Sequence, residues 1–216
     1  AWGNNDNNEL GTLSAGNKLL PTKVVGLNNA VDASFGANHL LILRADAQAA
    51  AVGYNNNGRL GLGDPNNRNL SQQVLDPTGT KILPGVAEVA AGQLNSLVNT
   101  FEYTDGGFVN HVYGFGSNTN GELGNGTTST RNLLPVAVKY DKDTELQNAS
   151  NIITSGLFSG VIYNNGDSDR NVLMFGQNTS GQLGNRTFGG MSTLPAAVFA
   201  DSLTDEAFSR AMLLAT

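Results

Sequence analysis

The stretch Phe115-Gly-Ser-Asn-Thr-Asn-Gly-Glu-Leu-Gly124 decides the fold, because close copies of it recur along the chain. Each copy, here called the phrase, opens on an apolar residue followed by Gly and closes on Leu-Gly. The other copies occupy residues 2–11, 52–61 and 175–184. Successive Leu-Gly pairs are 50, 63 and 60 residues apart. Self-similarity at an almost fixed period is typical of stacked repeat architectures.

The positions that the phrase copies share are the ones we expect to hold each repeat together. Gly tolerates positive φ in tight turns, and a Leu at a fixed place indicates a buried anchor. These predicted structural residues are Trp2, Gly3, Leu10, Gly11, Gly53, Leu60, Gly61, Phe115, Gly116, Leu123, Gly124, Phe175, Gly176, Leu183 and Gly184.

Extended segments follow each phrase and predict four short strands per repeat. The first has the form of Leu134-Pro-Val-Ala-Val138, where Pro indicates a strand start or a sheet edge, and its copies are 20–24, 70–74 and 194–198. The second, predicted to be a buried inner strand, covers 31–36, 86–92 and 152–156. The third covers 40–43, 96–98 and 160–163 and is followed by turn residues such as 104–107, and the fourth leads into the next phrase.

Composition also favours an all-β fold. The chain has 216 residues with 27 Gly and 28 Asn, and only 14% of them are charged. Both residue types tolerate left-handed backbone, so this excess predicts many tight turns between short strands. Sheets of four antiparallel strands that bury neither face alone must stack on neighbours. The predicted fold is therefore a set of β-propeller blades.

The phrase, the Leu-Pro-x-x-Val segment and the tetrad Gly36-Ala-Asn-His39 resemble the repeat of the regulator of chromosome condensation family. The resemblance implies a propeller of about seven blades in a complete ring. It also implies that His39 is a structural side chain bonded to the backbone of the neighbouring blade. Asn95 and Ser159 stand at the positions equivalent to His39, so the chain looks like a drifted member, of bacterial or exported origin.

The chain divides into units at residues 3–52, 53–115, 116–175 and an incomplete 176–216, which is about three and a half repeats. We expect one blade edge and one blade face to stay open. More of the same polypeptide, or another copy docked head to tail, is expected to cover them. Residues 201–216 fit either a further strand or a capping-box helix with Phe208 and Met212 on one face.

Charge and side-chain chemistry argue against several functions. A net charge of −6 does not favour nucleic-acid binding, and no apolar stretch approaches the roughly 20 residues of a membrane-spanning helix. His39 and His111 are the two histidines, with His111 expected on the surface just before a strand. The Asn-rich stretches resemble calcium loops but contain mostly amides, which turn chemistry explains better. We predict no catalytic, cofactor or metal residues and no cofactor.

The sequence predicts a non-catalytic scaffold at the cell surface or outside the cell, which binds a protein partner or assembles with further copies of itself into a ring or filament. A cytoplasmic location is the alternative. Asn-x-Ser/Thr sites matter only in an exported protein, and they are Asn69, Asn125, Asn148, Asn178 and Asn185. The resemblance also implies an alternative function, a guanine-nucleotide exchange factor for a small GTPase.

Overall fold

The computed structural model describes residues 1–164 and 170–199, which form three antiparallel sheets of four strands each. The first blade contains β1 (Ala30–Phe35), β2 (His39–Arg44), β3 (Ala49–Gly53) and β4 (Arg68–Gln73). The second contains β5 (Val86–Ala91), β6 (Asn95–Thr104), β7 (Gly107–Asn118) and β8 (Ser129–Ala137). The third contains β9 (Ala149–Thr154), β10 (Phe158–Asn164), β11 (Arg170–Gln177) and β12 (Met191–Ala197).

In each sheet the strands lie side by side in chain order. The first strands of successive sheets contact one another, so β5 lies against both β1 and β9. The fourth strands form the opposite edges, and Pro135 and Pro195 lie in two of them, β8 and β12. An edge strand tolerates Pro because one of its sides needs no ladder hydrogen bonds. The predicted all-β fold of propeller blades is confirmed.

The hydrophobic core lies between the blades. Successive side chains of a strand point to opposite faces, so Leu41 faces the second blade, where it joins a cluster that contains Val98 and Phe115. Leu40 points the other way, into a cluster with Val24 and Leu27. The second and third blades share a further cluster built from Leu97, Val112, Ile152, Val161 and Phe175. No blade buries both faces without a neighbour.

The expectation of a buried inner strand is correct for β5 but wrong for β1. In β5, Val86 and Val89 are 2% and 8% exposed, whereas Val31 and Phe35 of β1 are 62% and 56% exposed. The difference has a packing cause. The strands β5 and β9 lie against a preceding blade, whereas residues 24–27 cover the first blade only over Leu40, Ile42, Ala50 and Val52.

The first phrase belongs to part of a further blade. Gly3 pairs with Lys18 in an antiparallel bridge, as Gly53 pairs with Arg68 and Gly116 with Asn132 between third and fourth strands. The three sheets and this fragment fit the expected three and a half blades. Because the phrase lies between the third and fourth strands, each sheet joins the end of one sequence unit to the start of the next. The unit boundaries themselves remain a prediction.

Two further expectations concern residues 201–216 and the absence of a membrane-spanning helix. The choice between strand and helix for residues 201–216 lies outside the described residues. Within the described part of the chain, no helix has the length and apolar character needed to cross a membrane.

Replacing the last Gly of the second phrase tests the packing between blades. Gly61 has φ +67°, and an added Cβ would lie 2.9 Å from Val74 Cγ1 and 3.1 Å from the Phe115 ring. We expect Gly61→Ala to lower the free energy of unfolding by about 1–2 kcal/mol for backbone strain and by about 1–3 kcal/mol more for overpacking. Urea unfolding measures the change.

Gly63→Ala is the matched control, because Gly63 also has positive φ (+78°) but its nearest neighbour, Leu134, lies at an ordinary 3.5 Å. It should show the strain cost alone. Equal losses in the two variants would mean that the approach of the Phe115 ring to Gly61 contributes nothing.

Candidate interaction surface

The phrase forms the joint between neighbouring blades. Its Leu residues, Leu10, Leu60, Leu123 and Leu183, are at most 3% exposed. Its first Gly residues, Gly3, Gly53, Gly116 and Gly176, have φ between 103° and 114°, and its last, Gly11, Gly61, Gly124 and Gly184, between 59° and 67°. Phe115 and Phe175 are fully buried and Trp2 is 66% exposed. A Cβ at Gly61 would meet Phe115 and one at Gly124 would meet Phe175, each from the next blade.

The predicted structural residues leave out the Asn two residues after the first Gly of each phrase. In the third phrase the Oδ1 atom of Asn118 accepts a hydrogen bond from the Leu123 backbone at 2.9 Å, and its Nδ2 atom donates to the Thr127 carbonyl at 2.9 Å. The same two bonds recur in the other copies, at Asn5, Asn55 and Asn178, and all of these side chains are buried. The signal was present in the sequence, since all phrase copies carry Asn at this place.

The second phrase carries a cation where the others carry Glu or Gln. Glu122 accepts a hydrogen bond from the Asn120 backbone at 2.6 Å and so closes the turn of its own phrase. Arg59 instead donates to the Gln93 carbonyl of the second blade at 2.9 Å and to Asn57 Oδ1 at 2.7 Å. Its guanidinium also lies 5.0 Å from the centre of the Tyr54 ring. Arg59 adds a side-chain link across the first joint.

His39 lies in the same joint and is 1% exposed. Its Nε2 atom is 2.8 Å from Ser96 Oγ of the second blade, and Ser96 in turn donates to the Arg59 carbonyl at 2.8 Å. His39 is therefore a structural residue, although its partner in the neighbouring blade is a side chain rather than the predicted backbone group. Its Nδ1 atom has no hydrogen-bond partner among the described residues.

The strand register corrects the predicted equivalence of Ser159 with His39. His39 pairs with Gly53 and Asn95 with Gly116, so both face the first Gly of a phrase. In the third blade the residue paired with Gly176 is Phe158, not Ser159. Ser159 corresponds instead to Ser96, and it donates to the Glu122 carbonyl at 2.8 Å. The predicted equivalence was wrong by one residue. The turn that joins the first and second strands of the third blade begins at Ser155, one residue before Gly156.

The burial of His39 has an electrostatic cost. Removal of the imidazole from water, with the positive charge of Arg59 as the second cause, lowers the pKa of His39 to about 3. Above the ordinary His pKa of about 6.5 the ring is neutral in both folded and unfolded chains. Below it, only the unfolded chain takes up the proton.

Replacement of His39 tests this cost. The free energy of unfolding should fall as the pH drops from about 6.5 toward 3, by up to about 1.4 kcal/mol per pH unit from this group. We expect His39→Asn, which places the residue of the second blade in the first, to flatten that dependence. Urea unfolding at several pH values measures it.

His111→Gln serves as the control and should keep the steep loss. A His39→Asn chain with the wild-type slope between pH 6.5 and pH 4 would contradict the assignment, since carboxylates alone would then account for the acid sensitivity.

The least regular part of the structure is the β6–β7 hairpin, whose strands have 10 and 12 residues where β2 and β3 have 6 and 5. Its turn is the predicted 104–107 segment, with Gly107 at φ 111°. His111 lies within β7, not before a strand as predicted, and contacts Glu145 at 3.0 Å and Glu102 at 3.5 Å. Phe101, Tyr103 and Phe108 remain 42%, 77% and 76% exposed.

A cleft of about 350 Å³ lies between this hairpin and the third blade. Its lining is Phe101, Phe108, Asn110, Asn148, Ala149, Ser150 and Asn164. The floor is fixed by Asn110, which donates to Asn99 Oδ1 at 3.1 Å and to the Ala149 carbonyl, and accepts from the Ala149 backbone at 3.3 Å. We call the side of the sheets that carries this cleft and the β2–β3 turn the hairpin face. The opposite side, which carries the phrases, is the phrase face.

Chemically, the hairpin-face cleft combines exposed aromatic rings with amide and hydroxyl groups. Among the described residues no group of three or more His, Cys, Asp or Glu side chains is placed to hold a metal ion. Such a surface is suited to recognition, and the fold that presents it belongs to the class of repeat β-propellers.

Comparison with known proteins identifies the repeat family that the chain is similar to. The sequence profile named "Regulator of chromosome condensation (RCC1) repeat" matches residues 1–43 and 110–153. The chain is 32% identical over 197 residues to the probable E3 ubiquitin-protein ligase HERC6 of Homo sapiens, covering 85% of this chain and 17% of that protein. It is 30% identical over 156 residues to the X-linked retinitis pigmentosa GTPase regulator of Homo sapiens, covering 71% and 13%.

A solved structure of yeast RCC1 (Prp20) bound to Kap60 superposes with a TM-score of 0.71 at 19% identity, covering 93% of this chain and 44% of that one. The chain thus spans only a small part of its curated relatives and less than half of the solved protein. On these matches and its own repeat geometry, the chain belongs to the RCC1-type repeat family.

Proposed function

We propose that this chain is a non-catalytic protein-interaction scaffold whose partner binds on the hairpin face. The observation that carries the proposal is the cleft beside the β6–β7 hairpin, with Phe101 and Phe108 in its walls. Exposed aromatic rings beside a preformed cleft are the usual energetic centres of protein interfaces. RCC1 repeats in relatives belong to ligases and to a GTPase regulator, and the solved yeast protein is bound to Kap60.

The loops of the two faces differ in how far they bridge neighbouring blades, and this difference supports the assignment. On the phrase face the loops are committed to blade joints, because the Gly63 backbone donates to the Leu133 carbonyl at 2.9 Å and that of Gly126 to the Thr193 carbonyl at 2.8 Å. Among the described residues, the connections of the hairpin face have one backbone hydrogen bond between blades, from the Val86 backbone to the Ala47 carbonyl at 2.9 Å, and they vary in length between blades. The face that is free to vary is the one on which a specific partner is expected.

Among the described residues, no aromatic ring of a further blade lies against Gly184, and this supports a second part of the proposal, completion by a further blade. Gly61 and Gly124 approach Phe115 and Phe175 of the next blade. In contrast, the three atoms nearest to a Cβ on Gly184 all belong to Val198 of the same blade. A blade from the same polypeptide or from another copy would supply the aromatic residue. Assembly into a ring or filament, and a location outside the cell, remain predictions, and the relatives named above do not support the extracellular location.

Selection from a random peptide display library tests the scaffold function. Peptides selected on the wild-type chain should lose binding to Phe108→Ala, because truncation of an aromatic interface residue costs about 2 kcal/mol or more. Phe188→Ala is the matched control. Phe188 is 84% exposed, similar to the 76% of Phe108, but it lies on the phrase face.

Binding of each selected peptide to purified variants is measured by fluorescence anisotropy. Peptides that bind Phe108→Ala as tightly as the wild type would argue against the cleft as the interaction site.

An exchange-factor role is the second candidate, favoured by the 30% identity to a GTPase regulator. Release of labelled nucleotide from a panel of small GTPases separates the two functions. The scaffold function predicts intrinsic release rates, whereas an exchange factor accelerates release from one of them.

A further inference from the structure

The aromatic side chains of the β6–β7 hairpin lie in a row beside the cleft. In the antiparallel register Tyr103 lies opposite Phe108, and Phe101 precedes Tyr103 by two residues, so the three side chains share one face of the hairpin. Phe101 and Phe108 line the cleft, and the ring of Tyr103 meets that of Phe108 edge to face with centres 5.3 Å apart. Tyr103 therefore extends the aromatic wall beyond the cleft.

The cleft itself carries no formal charge. Its lining, taken over the described residues, contains aromatic, amide, hydroxyl and methyl groups but no Asp, Glu, Lys or Arg. The ionisable residues of the hairpin strands lie on the opposite face, because Glu102 pairs with Val109 and His111 with Thr100 at the alternate positions of the register. A charged group that entered the cleft would lose its water without gaining a counter-charge. The lining therefore favours an uncharged ligand.

Two polar side chains of the lining are available to a ligand. Within the described part of the chain, no group makes a hydrogen bond to the side chain of Asn148 or of Ser150. The Asn110 amide, in contrast, is held in the floor by Asn99 and Ala149. An amide and a hydroxyl together offer donors and acceptors, and a peptide backbone needs both for its C=O and N–H groups. The cleft can therefore bind a backbone as well as a side chain.

The row of rings has the spacing of an extended chain. Phe101 and Tyr103 are two residues apart in β6, which is a separation of about 7 Å along a strand. Side chains i and i+2 of an extended peptide have the same separation and point to the same side. A segment laid along the hairpin can therefore place one side chain in the cleft and the next but one against Tyr103.

We propose that the cleft binds an extended, uncharged polypeptide segment. One apolar side chain of the segment packs against Phe101 and Phe108, and a second, two residues along, packs against Tyr103. The backbone between them is hydrogen-bonded by Asn148 and Ser150. The inference rests on the proposed scaffold function and names the class of partner, and it concerns the hairpin face alone.

The test uses dye-labelled peptides of Ser and Gly that differ only in their guest residues. We expect the peptide with Leu at positions i and i+2 to bind the full chain at least about fivefold more tightly than one with Leu at i and i+1, because only the first can bury both side chains. Peptides with Lys or Glu at i and i+2 should not bind, and added NaCl should leave the affinity of the i, i+2 Leu peptide unchanged. Fluorescence anisotropy measures each affinity.

Two ring variants locate the guest residues. Phe108→Ala should weaken the i, i+2 Leu peptide about tenfold or more, with no change for the phrase-face variant Phe188→Ala. Tyr103→Ala should bring the affinity of the i, i+2 peptide down to that of a peptide with Leu at i alone, and it should leave the single-Leu peptide unchanged. Urea unfolding midpoints equal to the wild type show that each variant is folded.

A matched pair of variants tests recognition of the backbone. Asn148 and Asn151 both have positive φ, 56° and 50°, so the backbone of either position accepts Gly. Of the two, Asn148 lines the cleft. Asn148→Gly should weaken the i, i+2 Leu peptide about threefold to tenfold through the loss of a hydrogen bond, whereas Asn151→Gly should leave its affinity unchanged.

Each contrary result overturns the inference in a recognisable way. Equal, Phe108-dependent binding of the two Leu pairs would reject an extended segment, and tighter binding of the Lys or Glu peptide would reject an uncharged one, while both results leave the scaffold function intact. Equal losses in Asn148→Gly and Asn151→Gly would reject the backbone contact. Binding of neutral oligosaccharides on a glycan array, without peptide binding, would assign the cleft to another class of ligand. Binding of none of the peptides would reject the proposed class, and the peptide display selection then decides separately whether the cleft binds proteins at all.

Discussion

The close approach of one blade's phrase to the next blade is the contact on which the rest of the structure depends. Gly61 and Gly124 lie so near the rings of Phe115 and Phe175 that a single added carbon would meet them. These rings are fully buried between sheets. The second blade has both faces completed by its neighbours, because one cluster joins it to the first blade and another joins it to the third. Stability is therefore a property of the joints, and the sequence repeats where the joints repeat.

Polar groups in the joints are held by a recurrent arrangement rather than by charge. The phrase Asn, for example Asn118, uses both ends of its amide inside the turn, and Ser96 and Ser159 carry equivalent bonds to the preceding blade. Four of the 28 Asn of the chain, and eight of its 27 Gly as the first and last Gly of the phrases, stand at these repeated positions. The composition that identifies the fold consequently contains little information about a ligand. His39 is the costly exception, since a group that ionises near neutral pH is kept neutral by burial beside Arg59.

The periodic part of the structure was predictable and the irregular part was not. Segments such as 134–138 and 86–92 were assigned as strands because several units share them, and β8 and β5 lie there. The copy at 20–24 forms no strand. The equivalence of Ser159 with His39 failed because the turn of the third blade begins at Ser155 and not at Gly156, so the Gly does not mark the start of the turn there. The exposure of β1 depends on what packs against it, which strand patterns do not contain. The cleft was missed for a related reason, since Phe101 and Phe108 belong to one blade only and a search for shared positions passes over them.

One signal of the cleft was nevertheless present in the repeat lengths. The step between Leu-Gly pairs grows from 50 to 63 and 60 residues, and the connection 138–148 and the long β6–β7 hairpin, both on the hairpin face, take up part of this extra length. Insertions are tolerated where no joint constrains the backbone, so they accumulate on the face that leaves blade packing undisturbed. In a protein whose repeats are fully occupied with holding each other together, the residues that break the period are the ones available for recognition. The deviation from the repeat is therefore a better guide to the proposed binding site than the repeat itself.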